Sequence, residues 1–355
     1  MNGTTHKARA VVTAWPLNNT PDYMVVDISE SASPNTQRYY PAVDFLPGSE
    51  LGQIGAVTNN DAYKTSMIVM RKIMAKDVTW TMGSTALETQ RDAYSERSHQ
   101  VTLTNNYYIG TYEITQSQWS LVYNTAPSYW NNVEYRAMRP VEQVSYNRIR
   151  ISNNDKDNAT YYWPHDPNPN SFLGKLRTRT GIDFDLPSEA EWEFAARAGN
   201  GDTKWGDGTG VLNTDEDANM TRYGRYKYNG GRVHNGSDYV NADKNCTAAN
   251  ATAIVGTYAP NAWGLYDMAG NVKEHCLDWQ NGIITGYCGR VNIDFNNPQY
   301  DLSGALYGPN GNRINRGGGW ASAAGDARPA HREGLAPSNT MYNAGFRVTC
   351  RGGLE

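Results

Sequence analysis

The chain alternates between short apolar runs and clusters of turn-forming residues, a pattern that predicts many short strands and few long helices. Runs rich in Val, Ile, Tyr and Thr, or with alternating apolar and polar positions, predict β-strands at 10–15, 23–28, 78–84, 95–103, 107–115 and 139–146. Stretches rich in Asn, Asp, Gly and Pro predict loops at 153–170 and 205–240. The pattern at 116–123 predicts a helix with Thr115 as its N-cap.

A second helix is predicted at 186–199, where the sequence reads LPSEAEWEFAARAG. Pro187 and Ser188 are placed to cap it, and Glu189 and Glu191 lie in its first turn, where the helix dipole stabilises carboxylates. We predict a buried face made of Ala190, Phe194, Ala195 and Ala198. The two glutamates could act as general acid and base, but their place at the helix N-terminus accounts for them without catalysis.

The segment 316–347 shows neither the alternation of a strand nor the spacing of a helix. Residues of a structural type recur along it: Arg316, Gly317, Gly318, Trp320, Arg328, Pro329, Arg332, Gly345, Phe346 and Arg347. We expect a surface loop system that buries little of itself, with Trp320 and Phe346 as anchors beneath it and its arginines bonded to loop carbonyls. From composition alone, a polar C-terminal loop without a role is equally open.

Length and charge limit the class of protein. With 355 residues the chain can form one or two domains. Its formal net charge of −4 argues against a protein that binds nucleic acid through the phosphates. No run of 18 apolar residues is present, so we predict no transmembrane segment, and residues 1–8 lack the apolar core of a signal peptide. The 34 Gly, 24 Tyr and 10 Trp predict a loop-rich fold with aromatic-lined surfaces.

Metal-binding patterns are weak. The four cysteines are Cys246, Cys276, Cys288 and Cys350. They include no C-x-x-C pair, which argues against zinc, and both disulfides and free buried thiols are consistent with their number. Asn271, Glu274 and Asp278 could offer oxygen ligands to calcium, but Asn in a Gly-Asn turn usually caps its own backbone. We therefore predict no metal and no cofactor.

The order of motifs from 78 to 347 resembles the formylglycine-generating-enzyme family, also called sulfatase-modifying-factor domains. The matching stretches are MGS at Met82, ERSHQV at Glu96, YIGTYEIT at Tyr108, RPVEQVS at Arg139, LPSEAEWEFAAR at Leu186, NAWGLYDMAGNV at Asn261, RGGGW at Arg316 and GFRV at Gly345. The resemblance implies an α+β, C-type-lectin-like fold of the formylglycine-generating-enzyme type, rich in loops. We predict this domain at 76–352 and a small β-rich N-terminal region at 1–75.

The enzymes of that family bind copper through two cysteines that follow the Gly-Gly motif, since copper(I) requires soft thiolate ligands. The resemblance places these positions at Ser322 and Ala327, and neither is a cysteine. The family's G-N-V-W-E-W motif also departs from its pattern, with Lys273 and His275 in place of the two tryptophans. We therefore predict a chain that keeps the scaffold without catalytic residues and without the oxidase activity.

In 316–347, Arg, Gly, Trp and Phe residues alternate irregularly with small or polar residues. This composition is similar to that of a second branch of this fold, the variable proteins of diversity-generating retroelements. That resemblance implies a non-enzymatic ligand-binding protein whose C-terminal segment is diversified between fixed scaffold residues. The exposed ligand-binding residues it implies are Ala321, Ser322, Gly325, Asp326, His331, Glu333, Leu335, Ser338, Thr340, Tyr342 and Asn343. The expected partner is an unknown protein or surface ligand.

The same resemblance implies a monomer displayed on the bacterial surface as an exported lipoprotein. Two alternatives remain at this point: a lectin-like protein with one fixed ligand, and a copper oxidase of the formylglycine-generating type.

Overall fold

The structure is a computed structural model that describes residues 21–48, 54–86, 88–93, 95–132, 134–152, 161, 165–199, 205, 215–230, 232–234, 239–241, 250–280 and 311–351, with backbone only for 54–56, 232–234 and 239–241. The predicted strand at 10–15, most of the predicted loop at 153–170, Cys246 and Cys288 lie outside the described residues.

Short strands dominate the architecture. They are β1 Tyr23–Asp27, β2 Arg38–Tyr40, β3 Met67–Ile73, β4 Val78–Met82, β5 His99–Leu103, β6 Tyr107–Gly110, β7 Phe184–Asp185, β8 Arg232–His234, β9 Tyr239–Asn241, β10 Lys273–Gln280, β11 Asn312–Arg316, β12 Arg332–Leu335, β13 Ala344–Gly345 and β14 Thr349–Cys350. The α-helices are α1 Ala62–Thr65, α2 Gln116–Tyr123, α3 Phe172–Thr180, α4 Glu189–Ala196 and α5 Met220–Tyr223. Further short turns are the 3₁₀ segments Val43–Phe45, Ile54–Asn59, Arg136–Met138, Lys227–Asn229 and Ala324–Ala327 and the π-helical turn Asn147–Ile151. The mixed α+β, loop-rich class is as predicted.

The strands form two larger sheets and two hairpins. The six-stranded sheet has the order β2-β1-β3-β6-β14-β7, and the four-stranded sheet has the order β12-β11-β10-β13. Strands β4 and β5 pair with each other, as do β8 and β9. The six-stranded sheet crosses the expected boundary at residue 75 without a break, because β3 pairs with β6 at Met70 and Gly110. The division into 1–75 and 76–352 stays a prediction.

Two helices begin where local signals placed them. Thr115 caps α2 with a complete capping box, since its hydroxyl accepts from the Gln118 N–H and the Gln118 side chain accepts from the Thr115 N–H. Ser188 and Glu191 form the same motif at α4. Ala190, Phe194, Ala195 and Ala198 are buried as predicted, but burial is not limited to one face, because all eight residues of α4 are buried. The helix packs between the β4–β5 hairpin on one side and β10 and β11 on the other.

Aromatic rings join the helices to the C-terminal strands. Trp119 of α2 stacks on Phe172 of α3 at a centroid distance of 4.8 Å, and Phe346 meets Phe172 edge-on at 5.3 Å. All three side chains are fully buried. Phe346 therefore anchors the end of the 316–347 segment in the main core, as predicted.

Two predicted elements differ from the structure. The strand expected at 139–146 is reduced to one bridge between Pro140 and Thr115, because Gln143 has a positive φ of 60° that interrupts the extended backbone. The stretch 205–240, expected to be loop, contains α5 and the β8–β9 hairpin. Tertiary packing stabilises α5, since Met220 and Tyr223 are buried in one apolar cluster with Trp205.

Candidate ligand-binding face

A glycine turn after β11 carries Trp320 into the core. Gly317 and Gly318 have positive φ values of 86° and 64°, which favour glycine. A side chain at Gly317 would also press on the Trp192 ring at 3.0 Å. The turn is fixed where the Trp320 N–H donates to the Asn271 carbonyl at 2.7 Å, and Trp320 is fully buried. The predicted anchor role of Trp320 is confirmed.

Two indoles hold the backbone below the exposed end of the segment. The Nε1–H groups of Trp130 and Trp320 both donate to the Tyr342 carbonyl oxygen, at 2.7 and 3.0 Å. The two indole rings meet edge-on at 4.9 Å, and the Tyr342 ring lies 5.7 Å from Trp320. The Tyr342 side chain itself remains 36% exposed. A rigid buried platform thus presents an exposed aromatic side chain.

The platform includes residues that the sequence analysis missed. Tyr129 is 43% exposed and its ring lies 6.2 Å from that of Tyr342, while Trp130 beneath them is buried. These residues lie far from 316–347 in the chain, in the stretch Pro-Ser-Tyr-Trp. The adjacent Tyr129 and Trp130 were the available signal in the sequence, because Tyr and Trp are enriched at binding interfaces.

Arg316 holds the loop that follows the glycine turn. Its guanidinium donates to the carbonyl oxygens of Pro329, Ala330 and His331 at 2.6, 2.9 and 2.8 Å. It also forms a buried ion pair with Glu193 of α4. The carbonyl contacts are those predicted for the arginines, but the carboxylate partner was not predicted.

Arg347 has the same double role at the end of the segment. It donates two hydrogen bonds of 2.6 Å to the Glu274 carboxylate, and both side chains are fully buried. It also donates to the carbonyl oxygens of Gly110 and Tyr266, at 3.0 and 2.9 Å. A buried bidentate pair of this kind fixes the position of both backbones.

Buried carboxylates also bind the remaining two arginines. Arg328 donates to Glu88 at 2.8 Å and makes two bonds of 2.8 Å with Glu96, while Arg332 pairs with Glu189. Glu189, expected to stabilise the N-terminus of α4, therefore also neutralises a buried arginine. Burial raises the pKa of Glu96, but hydrogen bonds from His331 and Arg328 outweigh it and lower this pKa to about 2.

A half-exposed charged cluster lies at the edge of the four-stranded sheet. His331 Nδ1 lies 3.3 Å from Glu96 Oε1, and its Nε2 lies 3.4 Å from Glu333 Oε1. Glu333 also pairs with Lys273 of β10. Burial lowers the pKa of His331, but the hydrogen bonds with the two carboxylates outweigh it and raise this pKa above 6.5. The two carboxylates therefore favour the charged form of the imidazole.

The predicted ligand-binding residues divide into three groups. The exposed members are Ser338, Thr340 and Tyr342. The partly exposed members are Ala321, Asp326, His331, Glu333 and Leu335. The buried members are Ser322, Gly325 and Asn343. The first two groups keep surface that a ligand can reach, and their role in binding stays a prediction.

The expected exposure of the third group is wrong, because these residues complete the scaffold. Ser322 Oγ accepts the Gly319 N–H at 3.1 Å and so closes the turn around Trp320. The Gly325 carbonyl accepts from Arg328 Nε at 2.8 Å. The Asn343 carbonyl accepts from the first N–H of β10 at 2.8 Å. The segment also buries far more of itself than predicted.

The residues considered for calcium are held by protein groups. Asn271 donates to the Glu113 carboxylate at 2.6 Å, and Glu274 is paired with Arg347. Asp278 accepts the Glu189 N–H at 2.6 Å. In the ranges described, no group of three or more His, Cys, Asp or Glu side chains is arranged to hold a metal ion. The preferred structural role of Asn271 agrees with these contacts.

The donor chemistry at the two positions discussed for copper does not fit copper(I). The Ser322 hydroxyl is engaged in the glycine turn, and the Ala327 methyl group lies in an apolar cluster. Neither side chain carries a thiolate, the ligand that copper(I) requires. Cys276 and Cys350 are buried on strands β10 and β14. Within the described residues, no helix is long and apolar enough to cross a membrane.

Comparison with known proteins agrees with the geometry. The family described as "Sulfatase-modifying factor enzyme 1-like domain" matches residues 67–351. Chaperone protein LppX of Paenibacillus barcinonensis is 31% identical over 276 residues, which are 74% of this chain and 85% of that protein. Formylglycine-generating enzyme of Streptomyces coelicolor is 33% identical over 169 residues, which are 46% of this chain and 45% of the enzyme.

Among solved structures, Treponema denticola variable protein 1 is similar with a TM-score of 0.55 and 26% identity, over 80% of this chain and 95% of that chain. The fold is therefore C-type-lectin-like and of the formylglycine-generating-enzyme type, as the sequence predicted. The resemblance to the variable proteins is confirmed as well. The chain belongs to the family of sulfatase-modifying factor enzyme 1-like domains.

Proposed function

We propose that this protein is a non-enzymatic ligand-binding protein whose binding face is formed by the exposed residues of 316–347. In this proposal the segment is diversified, so that different copies of the gene bind different ligands. Display on the bacterial surface as a lipoprotein and a monomeric state belong to the same proposal. Those two points extend the resemblance of this chain to the variable proteins of diversity-generating retroelements.

The observation that carries the proposal is the separation of roles inside one segment. The arginines and aromatic anchors are buried and bonded to partners far away in the chain. In contrast, Ser338, Thr340 and Tyr342 point to solvent from a backbone that two indoles hold in place. Exposed side chains such as Ser338 and Thr340 can be replaced at little cost in stability. This arrangement supports a face whose residues vary while the scaffold stays constant.

The absence of thiol chemistry at Ser322 and Ala327 supports a non-enzymatic role. The match to the Streptomyces coelicolor enzyme spans less than half of that protein, so its activity is not carried over to this chain. Catalysis of formylglycine formation is the alternative. Turnover of a cysteine-containing sulfatase peptide by the purified chain in the presence of copper would establish that alternative.

The test of the leading proposal is deep sequencing of the 3′ end of the gene across a non-clonal bacterial population. We expect substitutions to concentrate at codons for exposed residues such as Ser338, Thr340 and Tyr342, and to trace to adenines in a nearby template copy. The codons for Trp320 and Arg347 are the internal control and should be constant. A uniform sequence through 316–347 would overturn the diversification and leave a lectin-like protein with one fixed ligand.

A further inference from the structure

A cavity of about 280 Å³ lies beside the N-terminal strands, and none of its lining residues belongs to 316–347. Its volume is close to the lower end of the range for small-molecule sites, roughly 300 to 1,000 Å³. The floor is apolar, because Val25 and Tyr63 are buried there and Met67 is partly buried. The Tyr63 hydroxyl donates to the Pro47 carbonyl at 2.7 Å, which fixes the ring at the cavity wall.

Two side chains of opposite charge line this cavity. Arg38 lies opposite Val25 in the β1–β2 ladder, and Asp27 lies two residues further along β1 on the same face. Their Cα atoms are diagonal neighbours in the sheet, about 7–8 Å apart. Neither side chain forms an ion pair with a described residue, and the Asp27 carboxylate accepts one hydrogen bond, from the Ser29 N–H at 2.8 Å. Both charges are therefore available to a ligand.

We propose that this cavity binds a small zwitterion with an apolar side chain, a free aliphatic α-amino acid. The planar Arg38 guanidinium matches the geometry of a ligand carboxylate, and the Asp27 carboxylate accepts from the ligand ammonium group. The apolar floor covers the ligand side chain. At roughly 30 Å³ for each water-sized group, the cavity holds about nine non-hydrogen atoms, the number in leucine. This site is independent of the C-terminal face and gives the N-terminal strands a fixed ligand.

The experiment is calorimetric titration of the whole chain with L-leucine and with three analogues that each lack one feature. Leucinamide lacks the carboxylate, N-acetyl-L-leucine lacks the ammonium charge, and glycine lacks the apolar side chain. We expect saturable binding of leucine and affinity at least about tenfold weaker for each charge-deficient analogue, the usual effect of losing a charge-assisted hydrogen bond. Glycine is expected to bind more weakly than leucine because it leaves the floor uncovered.

Variants locate the site on the molecule. Arg38→Gln and Asp27→Asn should each weaken leucine binding by about tenfold or more, and both keep a polar side chain of similar size. Arg222→Gln changes an exposed arginine on α5 that does not line the cavity, and should leave leucine affinity unchanged. The proposal is overturned if leucine gives no binding at millimolar concentration, if leucinamide binds as well as leucine, or if Arg38→Gln binds like the unsubstituted chain. Melting curves of the variants, each with and without leucine, separate loss of binding from loss of folding.

Discussion

The indole of Trp130 donates a hydrogen bond of 2.7 Å to the backbone carbonyl of Tyr342, across 212 residues of sequence. Trp320 donates to the same oxygen at 3.0 Å. A carbonyl that accepts two buried donors cannot move without breaking both bonds. The exposed Tyr342 side chain is therefore presented from a fixed backbone position, which limits the entropy lost when a ligand binds.

Replacing Trp130 by Phe tests this arrangement. The variant keeps an aromatic ring but removes the donor, so the free energy of unfolding should fall by about 1–3 kcal/mol. Thr340→Ala is the control, because it shortens an exposed side chain of the same segment and leaves the Tyr342 carbonyl in place. Urea unfolding should show a loss of no more than about 0.5 kcal/mol for that control. Equal losses for the two variants would contradict the platform.

The two serines of the segment provide a second comparison. Ser322 is buried and its hydroxyl accepts the Gly319 N–H, whereas Ser338 is exposed. Ser322→Ala should lower the unfolding free energy by about 1 kcal/mol, because it leaves a buried donor without its partner. Ser338→Ala should change it by less than about 0.5 kcal/mol. If both changes are neutral in thermal or urea unfolding, Ser322 is not part of the scaffold.

The buried pair of Arg347 and Glu274 gives a third prediction. Glu274→Gln removes the charge that compensates the fully buried guanidinium, and should cost about 3–5 kcal/mol of unfolding free energy. Asp166→Asn is the control at a surface pair, because the Asp166 side chain is 89% exposed next to Arg177. That change should cost at most about 1 kcal/mol. Chemical denaturation of both variants measures the two losses of unfolding free energy. Similar losses would mean that burial does not strengthen the Arg347–Glu274 pair.

Local features of the sequence predict local features of the fold. Thr115 and Ser188 begin helices because a capping side chain acts within three residues of itself. Trp320 and Phe346 are large apolar side chains in a polar segment, so their burial follows from the hydrophobic effect. These positions could be predicted from the chain alone.

Other features depend on partners that are distant in sequence. Ser322 is polar and lies in a polar segment, and only the turn that its hydroxyl closes shows that it is buried. The partners of Arg328 are carboxylates of Glu88 and Glu96, more than 230 residues away. Tyr129 reaches the candidate face from a separate loop. Such pairings are set by tertiary packing, and no spacing in the sequence encodes them.

The pH dependence of stability should report on His331. Its folded-state pKa is raised above 6.5, because hydrogen bonds to Glu333 and Glu96 outweigh the effect of burial. A raised pKa stabilises the fold below the unfolded pKa, and this contribution is lost as pH rises through the folded pKa. Glu96 and Glu333, with pKa values of about 2, stay ionised from about pH 5 to about pH 9 and do not contribute to the change.

The measurement is the difference in unfolding free energy between the unsubstituted chain and His331→Gln across that pH range. We expect the difference to be largest at the acidic end and to decline as pH rises above about 6.5, because the imidazole then loses the charge that binds both carboxylates. Ser338→Ala, at an exposed residue of the same segment without a titratable side chain, is the control and should show no such slope. A His331 difference that is independent of pH would mean that neutral hydrogen bonds, and not the imidazolium charge, join this cluster, and Lys273 would then be the cation that pairs with Glu333 on the candidate face.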